Sequence, residues 1–347
     1  MNKMLKGILA LIIGLIGAIF FVLLDMSLAW VLGSMTICAI LSLAGVPLSI
    51  PNRWRSYALT IIGTILGSSF NSMTIKALPS WFNTIGVMLL LTFFFFFVSY
   101  KVLIRYSGMN KINSFLSAVP GGLSIISGIA DLYKADTRRI ALSHAARLVA
   151  LLSLTPIILY YVGNYQFPEN TLPQITIPTD FNWFQFLILI SCAVIGYYLA
   201  KIISFPMGFI LFPIILSAIV HSFGLVTIQM PSPIAALAQT VIGTTVGIRF
   251  TGYRFKDIIN DGWISILLGI FLALGAAITA YVTSLITNIE FPALLLVFLP
   301  GGAPELGVMA VALNINPAMI TTHHMLRVVA IVFSLGFLEK LFINNKP

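Results

Sequence analysis

Charged side chains are scarce in this sequence. Only 8% of its 347 residues are Asp, Glu, Lys or Arg, while 59% are hydrophobic, and so little polar surface cannot cover a water-soluble globule of that length. The shortage excludes an ordinary soluble enzyme or binding domain and makes lipid the main solvent. Cysteine is nearly lacking too. Cys38 and Cys192 both lie in apolar runs, so neither a disulfide framework nor a cysteine-based zinc cluster is expected. An ATP-binding motif is also missing. So is any basic stripe or recognition module that would turn the net charge of +9 into an argument for nucleic-acid binding. The chain is therefore read as a non-enzyme, with no cofactor, no metal site and no nucleic-acid partner.

What the sequence has in abundance is apolar runs. Mean hydropathy is +1.04, and stretches of about 20 residues, the length that spans a hydrocarbon layer of about 30 Å as a helix, recur from end to end. Lys3 and Lys6 followed by an apolar run to Leu24 imitate a signal peptide. Asp25-Met26-Ser27 then leads into another span rather than past a small-residue cleavage site, which marks the run as a first transmembrane helix.

The runs are duplicated. At an offset of 180, Ile62-Gly63-Thr64-x-x-Gly67-x-x-Phe70 falls on Ile242-Gly243-Thr244-x-x-Gly247-x-x-Phe250 without a gap. The same offset places Pro120-Gly121-Gly122 on Pro300-Gly301-Gly302, and His144-x-x-Arg147 on His324-x-x-Arg327. Residues 61–150 give 17 identities with their counterparts, against about 7 expected by chance from so biased a composition. Residues 1–162 form membrane repeat 1, 163–182 a periplasmic linker, and 183–347 membrane repeat 2. Each repeat reads as about five transmembrane helices plus one broken segment at Pro-Gly-Gly. In the first the spans fall at about 6–24, 28–46, 56–75, 81–104, 112–133 and 139–162. In the second they fall at about 183–200, 205–222, 232–249, 262–287, 291–314 and 318–340.

Lys and Arg counts decide whether the Pro-Gly-Gly segment crosses or re-enters. If it is re-entrant, 16 of the 19 Lys and Arg face the cytoplasm, Lys76 alone lies outside, and Arg147 and Arg327 are intramembrane. If it crosses, the count is 9 against 8. The re-entrant reading follows, with both termini cytoplasmic in a bacterial inner membrane. Five crossings per unit, an odd number, make the repeats inverted, so the fold class is an all-α polytopic membrane protein of two inverted repeats. In such architectures solute sites lie where broken helices meet near the midplane.

Candidate site residues follow from what apolar surroundings penalise. Pro120, Gly121 and Gly122, and likewise Pro300, Gly301 and Gly302, break a helix, because proline lacks the N–H donor and glycine costs about 1 kcal/mol in a helix interior. The exposed backbone ends either line a solute site or make a packing kink. Ser124 follows the first break. Arg147 stands nine residues beyond Arg138 and Arg327 ten beyond Pro317, which is about 13–15 Å into each helix. Intramembrane arginines either bind an anionic solute or satisfy broken-helix carbonyls. His144 and His324, three residues earlier on the same helical face, relay protons or orient the guanidinium. Glu305, whose counterpart is Ile125, pairs with an arginine, binds Na⁺ or carries a proton. Asp131 reads as solvated beside Lys134. His323 adds an imidazole in the second copy only, too weak a pattern for a metal site.

The Gly-Thr-x-x-Gly-x-x-Phe, Ala-Val-Pro-Gly-Gly and His-x-x-Arg elements together resemble the AbrB family of duplicated bacterial integral membrane proteins. The resemblance covers almost the whole chain. It implies an inner-membrane protein, and the family also carries the labels ammonia monooxygenase and gene-expression regulator. The layout is similar at fold level to inverted-repeat secondary transporters of organic anions. The function expected from residues and resemblance is secondary transport of a small anionic solute, coupled to protons or sodium. The alternatives are a membrane-embedded regulator of gene expression and, behind it, a membrane oxygenase. The expected partners are the solute, the lipid bilayer and further copies of the chain.

Overall fold

The computed structural model describes residues 3–26, 28–120, 130, 133–168, 182–205 and 207–342, and among them every regular element is helical. In chain order these are α1 (Lys3–Leu23), α2 (Ala29–Leu43), α3 (Asn52–Gly67), α4 (Ser72–Ala77), α5 (Phe82–Tyr106), α6 (Lys111–Ala118) and α7 (Thr137–Tyr161). They continue with α8 (Trp183–Ile203), α9 (Gly208–Ser222), α10 (Ser232–Gly247), α11 (Trp263–Ile286), α12 (Phe291–Phe298), α13 (Ala303–Ala312) and α14 (Pro317–Phe342). The offset of 180 governs their boundaries as well as the motifs: α1 maps onto α8, α3 onto α10 and α6 onto α12, residue for residue.

The helix ends have local causes. Asn71, Asn110, Asp136 and Asn182 each accept a hydrogen bond from the backbone N–H three residues on, meeting one of the donors that a helix start leaves orphaned. Pro51 and Pro231 hold equivalent starts of α3 and α10, with φ of −58° and −51°.

Among the described residues, six stretches are long and apolar enough to cross a membrane: Met4–Leu23, Ser72–Tyr106, Thr137–Tyr161, Trp183–Ile203, Trp263–Ile286 and Pro317–Leu338. Four of the expected spans are shorter. Helices α2 and α9 have 15 residues, and α3 and α10 have 16, fewer than the about 20 that cross unaided. The expected span 56–75 is divided because Ser68 turns its hydroxyl onto the Ile65 carbonyl and Asn71 caps a new helix.

The chain forms two compact units. The first gathers Met1–Ser80, Phe167–Gly252 and Pro304–Thr321. In it α2 packs on α10 and α3 on α9, so each half of the sequence supplies the other's partner. The glycines of the duplicated motif make this approach possible. A Cβ on Gly63 would stand 2.5 Å from the Ile210 carbonyl oxygen, and one on Gly67 would stand 2.6 Å from that of Ile214. Gly243 and Gly247 meet the Val31 and Met35 carbonyls in the same way. Small residues at such spacing let backbones touch where lipid supplies no hydrophobic drive for helix association. Helices α1 and α8 are the least enclosed, with 33% and 22% of their apolar windows buried. Their outer faces, including Ile16, Phe184 and Leu187, are a surface for lipid.

The second unit comprises Trp81–Gln166, Tyr253–Ala303 and Thr322–Pro347. Its core joins Phe96, Leu103, Phe115, Leu116, Ile140, Leu268 and Ile331. Two buried polar bridges tie the sequence halves together. The Ser143 and Ser265 hydroxyls lie 2.7 Å apart between α7 and α11, and the Thr84 hydroxyl lies 2.9 Å from His323 Nε2 between α5 and α14.

Gly243→Val is expected to destabilise the protein by about 3 kcal/mol, the upper end of overpacking costs, because the opposing atom is backbone and cannot rotate away. Gly86→Ala, where the added Cβ meets nothing within 4 Å, should leave stability equal or slightly raised. Thermal unfolding of the two variants in detergent checks the contrast.

Candidate functional site

The first helix break begins at the end of α6. Pro120 cannot donate a backbone N–H and forces its predecessor out of helical geometry, so Val119 takes φ −56° and ψ 120°. The second break repeats this, with Leu299 before Pro300 at φ −59° and ψ 127°. A helix that stops leaves its last carbonyls without intrahelical donors. Buried as these break residues are, each unmet carbonyl is costly.

A buried arginine meets carbonyls at or just past the helix end in both copies. Arg147, on α7 and 6% exposed, donates from Nη1 to the Ser117 carbonyl at 3.0 Å and from Nη2 to the Val119 carbonyl at 3.5 Å. Arg327, on α14 and 1% exposed, donates from Nη1 to the Leu299 carbonyl at 2.7 Å and from Nη2 to the Gly301 carbonyl at 2.6 Å. The planar fork of guanidinium suits two converging acceptors, which a single ammonium would not. Each histidine serves the same helix end. His144 Nε2 lies 3.0 Å from the Leu116 carbonyl and His324 Nε2 lies 2.8 Å from that of Leu296. Carbonyl oxygens only accept, so both Nε2 atoms carry the hydrogen.

The two clamps differ in register. In the first, Arg147 Nη2 also lies 3.0 Å from His144 Nδ1, so the histidine accepts from the arginine. In the second, the fork reaches the position equivalent to 121 rather than 117. Both of its Nη groups then serve carbonyls, while Arg327 Nε and His324 Nδ1 are buried without a hydrogen-bond partner.

Past the second break, Glu305 sits in the first turn of α13, where the helix dipole favours a carboxylate. It lies within the first compact unit, 3.6 Å from Arg249 Nη2. Glu305 is buried and the Arg249 side chain is 22% exposed. Pairing with an arginine is one of the three roles the sequence allows Glu305, and the structure makes that arginine Arg249, which the charge count places on the cytoplasmic side without a partner. The repeat held a signal for it: the counterparts at the offset are Ser69 and Ile125, so both charges enter together in the second copy. Helix α13 also closes on α3, with Gly307 facing Leu66.

Of the other sequence candidates, Pro120, Pro300 and Gly301 are buried at the breaks and Gly302 is partly exposed. Gly121, Gly122, Ser124 and Asp131 lie outside the described residues. His323 faces Thr84 and the Trp81 ring, 6.1 Å between centroids.

Comparison with known proteins gives the chain's relatives. A family model described as transition state regulatory protein AbrB matches residues 30–343. An uncharacterised Bacillus subtilis protein, YhjN, is 25% identical over 353 aligned residues, covering 95% of this chain and 91% of its own. An Escherichia coli protein named "Putative regulator AbrB" is 24% identical over 325 residues, covering 93% of this chain and 92% of its own.

Arg249→Ser alone should destabilise the protein by about 2 kcal/mol, less than removal of one partner from a fully buried pair because Arg249 is partly solvated. Adding Glu305→Ile, which restores the pattern of the first copy, is expected to recover most of the loss. Thermal midpoints of the single and double variants decide it.

Proposed function

The chain belongs to the AbrB family, and from its site geometry we propose that it is a secondary transporter of a small anionic solute across the bacterial inner membrane. One observation carries the reading: two helix breaks at equivalent positions, each held open by a buried arginine, lie in one compact unit of an otherwise apolar helical protein. Irregular backbone at membrane depth is tolerated where it is clamped by protein or lines a cavity, and it recurs at the solute sites of transporters built from repeats. Among the described residues neither arginine meets a carboxylate, so each brings positive charge into a dry region, which an anion would offset.

In this reading the two halves are inverted repeats, the termini face the cytoplasm, and a gradient of protons or sodium supplies the energy. Pro120 and Pro300 to Gly302 form the walls of the path. Arg147 and Arg327 hold the breaks and set the field there, while Glu305, paired with Arg249, is the coupling candidate. Oligomers of the chain are compatible with it.

The second reading is a membrane-embedded sensor that regulates gene expression. It draws on the regulatory description carried by the family model and by the Escherichia coli relative. A sensor would bind solute without moving it.

Uptake of radiolabelled organic anions into proteoliposomes, under imposed pH and Na⁺ gradients, separates the two. A transporter gives gradient-driven accumulation. A sensor gives solute-dependent thermal stabilisation with no flux, and that outcome would overturn the proposal. Arg147→Lys and Arg327→Lys keep the charge but not the two-pronged fork. Loss of one charge-assisted hydrogen bond, about 1.5–3 kcal/mol, should lower flux by at least about tenfold in either variant.

A further inference from the structure

The second clamp leaves two buried polar atoms unmet. Arg327 Nε carries a hydrogen with no acceptor. His324 Nδ1 is the bare nitrogen of a ring whose other nitrogen donates to the Leu296 carbonyl. Both side chains are essentially sealed, at 1% and 0% exposure. Buried polar groups without partners are rare and costly, and call for an explanation. In the first clamp the equivalent nitrogen, His144 Nδ1, is met by Arg147 itself. The second clamp cannot do this, because its fork has moved forward onto Leu299 and Gly301.

The leftover pair is one donor and one acceptor, three residues apart on one face of α14. The arginine adds a positive charge that no carboxylate meets among the described residues. We propose that this pair binds the carboxyl group of a small monocarboxylic acid together with one proton. One carboxyl oxygen accepts from Arg327 Nε–H. The other carboxyl oxygen faces His324 Nδ1, and since both are acceptors they can be joined only by a hydrogen between them. That hydrogen is bonded to the acid oxygen or to Nδ1; in either case the site gains one carboxylate and one proton, and no covalent bond in the solute's carbon frame changes. A dianion such as sulfate offers no such match without further donors. The inference rests on the transport reading above and deepens it: the solute is a monocarboxylate and the coupling ion is a proton held by the solute–histidine pair.

The charged or titratable groups facing His324 are Arg327 and His323, both on α14, while α12, packed at the same helix end, contributes the Leu296 carbonyl. The Thr321 hydroxyl, one turn earlier on α14, is also buried without a partner, but it makes no hydrogen bond to His324 Nδ1, so in this proposal the hydrogen there arrives with the solute.

Isothermal titration of the full chain in nanodiscs with acetate, lactate and benzoate, each at pH 7 in two buffers of different ionisation enthalpy, reads the protons taken up per solute bound. The expected value is one for at least one of the acids. A value of zero for every acid that binds overturns the proposal, as does failure of all three to bind at millimolar concentration. His324→Gln keeps an amide N–H for the Leu296 carbonyl while removing the Nδ1 acceptor. It should retain the thermal midpoint within a few degrees, weaken acid binding at least about tenfold and abolish the proton uptake. Unchanged proton uptake in that variant would also overturn the assignment. Gradient-driven acid flux without linked proton uptake would refute this site and leave the transport reading standing. Binding with one proton but no flux would refute transport and leave the site standing.

Discussion

A helix that ends inside an apolar medium must find donors for its last carbonyls, and no water is there to provide them. The rest of this structure is arranged around that requirement. Proline at 120 and at 300 ends a short helix at the same point in each half, and an arginine from a long neighbouring helix reaches the stranded carbonyls with both prongs of its guanidinium. The charge is expensive to bury. It is retained because a neutral side chain of similar reach would bring fewer donors and no fixed fork. The histidine one helical turn earlier takes one more carbonyl at each end, so two side chains share the carbonyls at and just past each helix terminus.

The same economy of donors explains why the two halves are not copies in detail. When the arginine reaches back, as Arg147 does, the histidine becomes its acceptor. When it reaches forward, as Arg327 does, the histidine loses that partner. A shift of register along one broken segment thus changes which polar atoms are left over, with the histidine and the arginine the same in both copies. The charged pair Arg249 and Glu305 adds a second difference, placed where the dipole of α13 already favours a carboxylate.

Much of this could be read in the sequence, and what could not has physical reasons. The helical class, the duplication, the breaks at Pro120 and Pro300 and the special status of Arg147 and Arg327 all follow from rules that act locally or that lipid enforces strictly. The partners of those arginines did not follow, because a guanidinium can meet a carbonyl, a carboxylate or a solute equally well, and the choice is made by how far its helix leans on the break. Helix lengths were overestimated at α3 for a related reason. Hydropathy continues past Gly67, but Ser68 and Asn71 divert their side chains to backbone and end the helix while the apolar signal persists. Arg249 was assigned by charge counting, which treats every loop cation as solvated and takes no account of a carboxylate folded back beside it.

The crossing of partners between halves has a consequence for how the chain is made. Helix α3 packs on α9, and the Ser217 hydroxyl of α9 donates to the Thr64 carbonyl across 153 residues of sequence. Contacts of such separation form late, since the intervening loop must close before they contribute. As the chain emerges, the first half enters the bilayer with its glycine faces and its polar bridges unmatched, and must remain so until the second half arrives. The first half expressed alone is therefore not a smaller version of the protein but an intermediate, held open at the surfaces where the second half belongs.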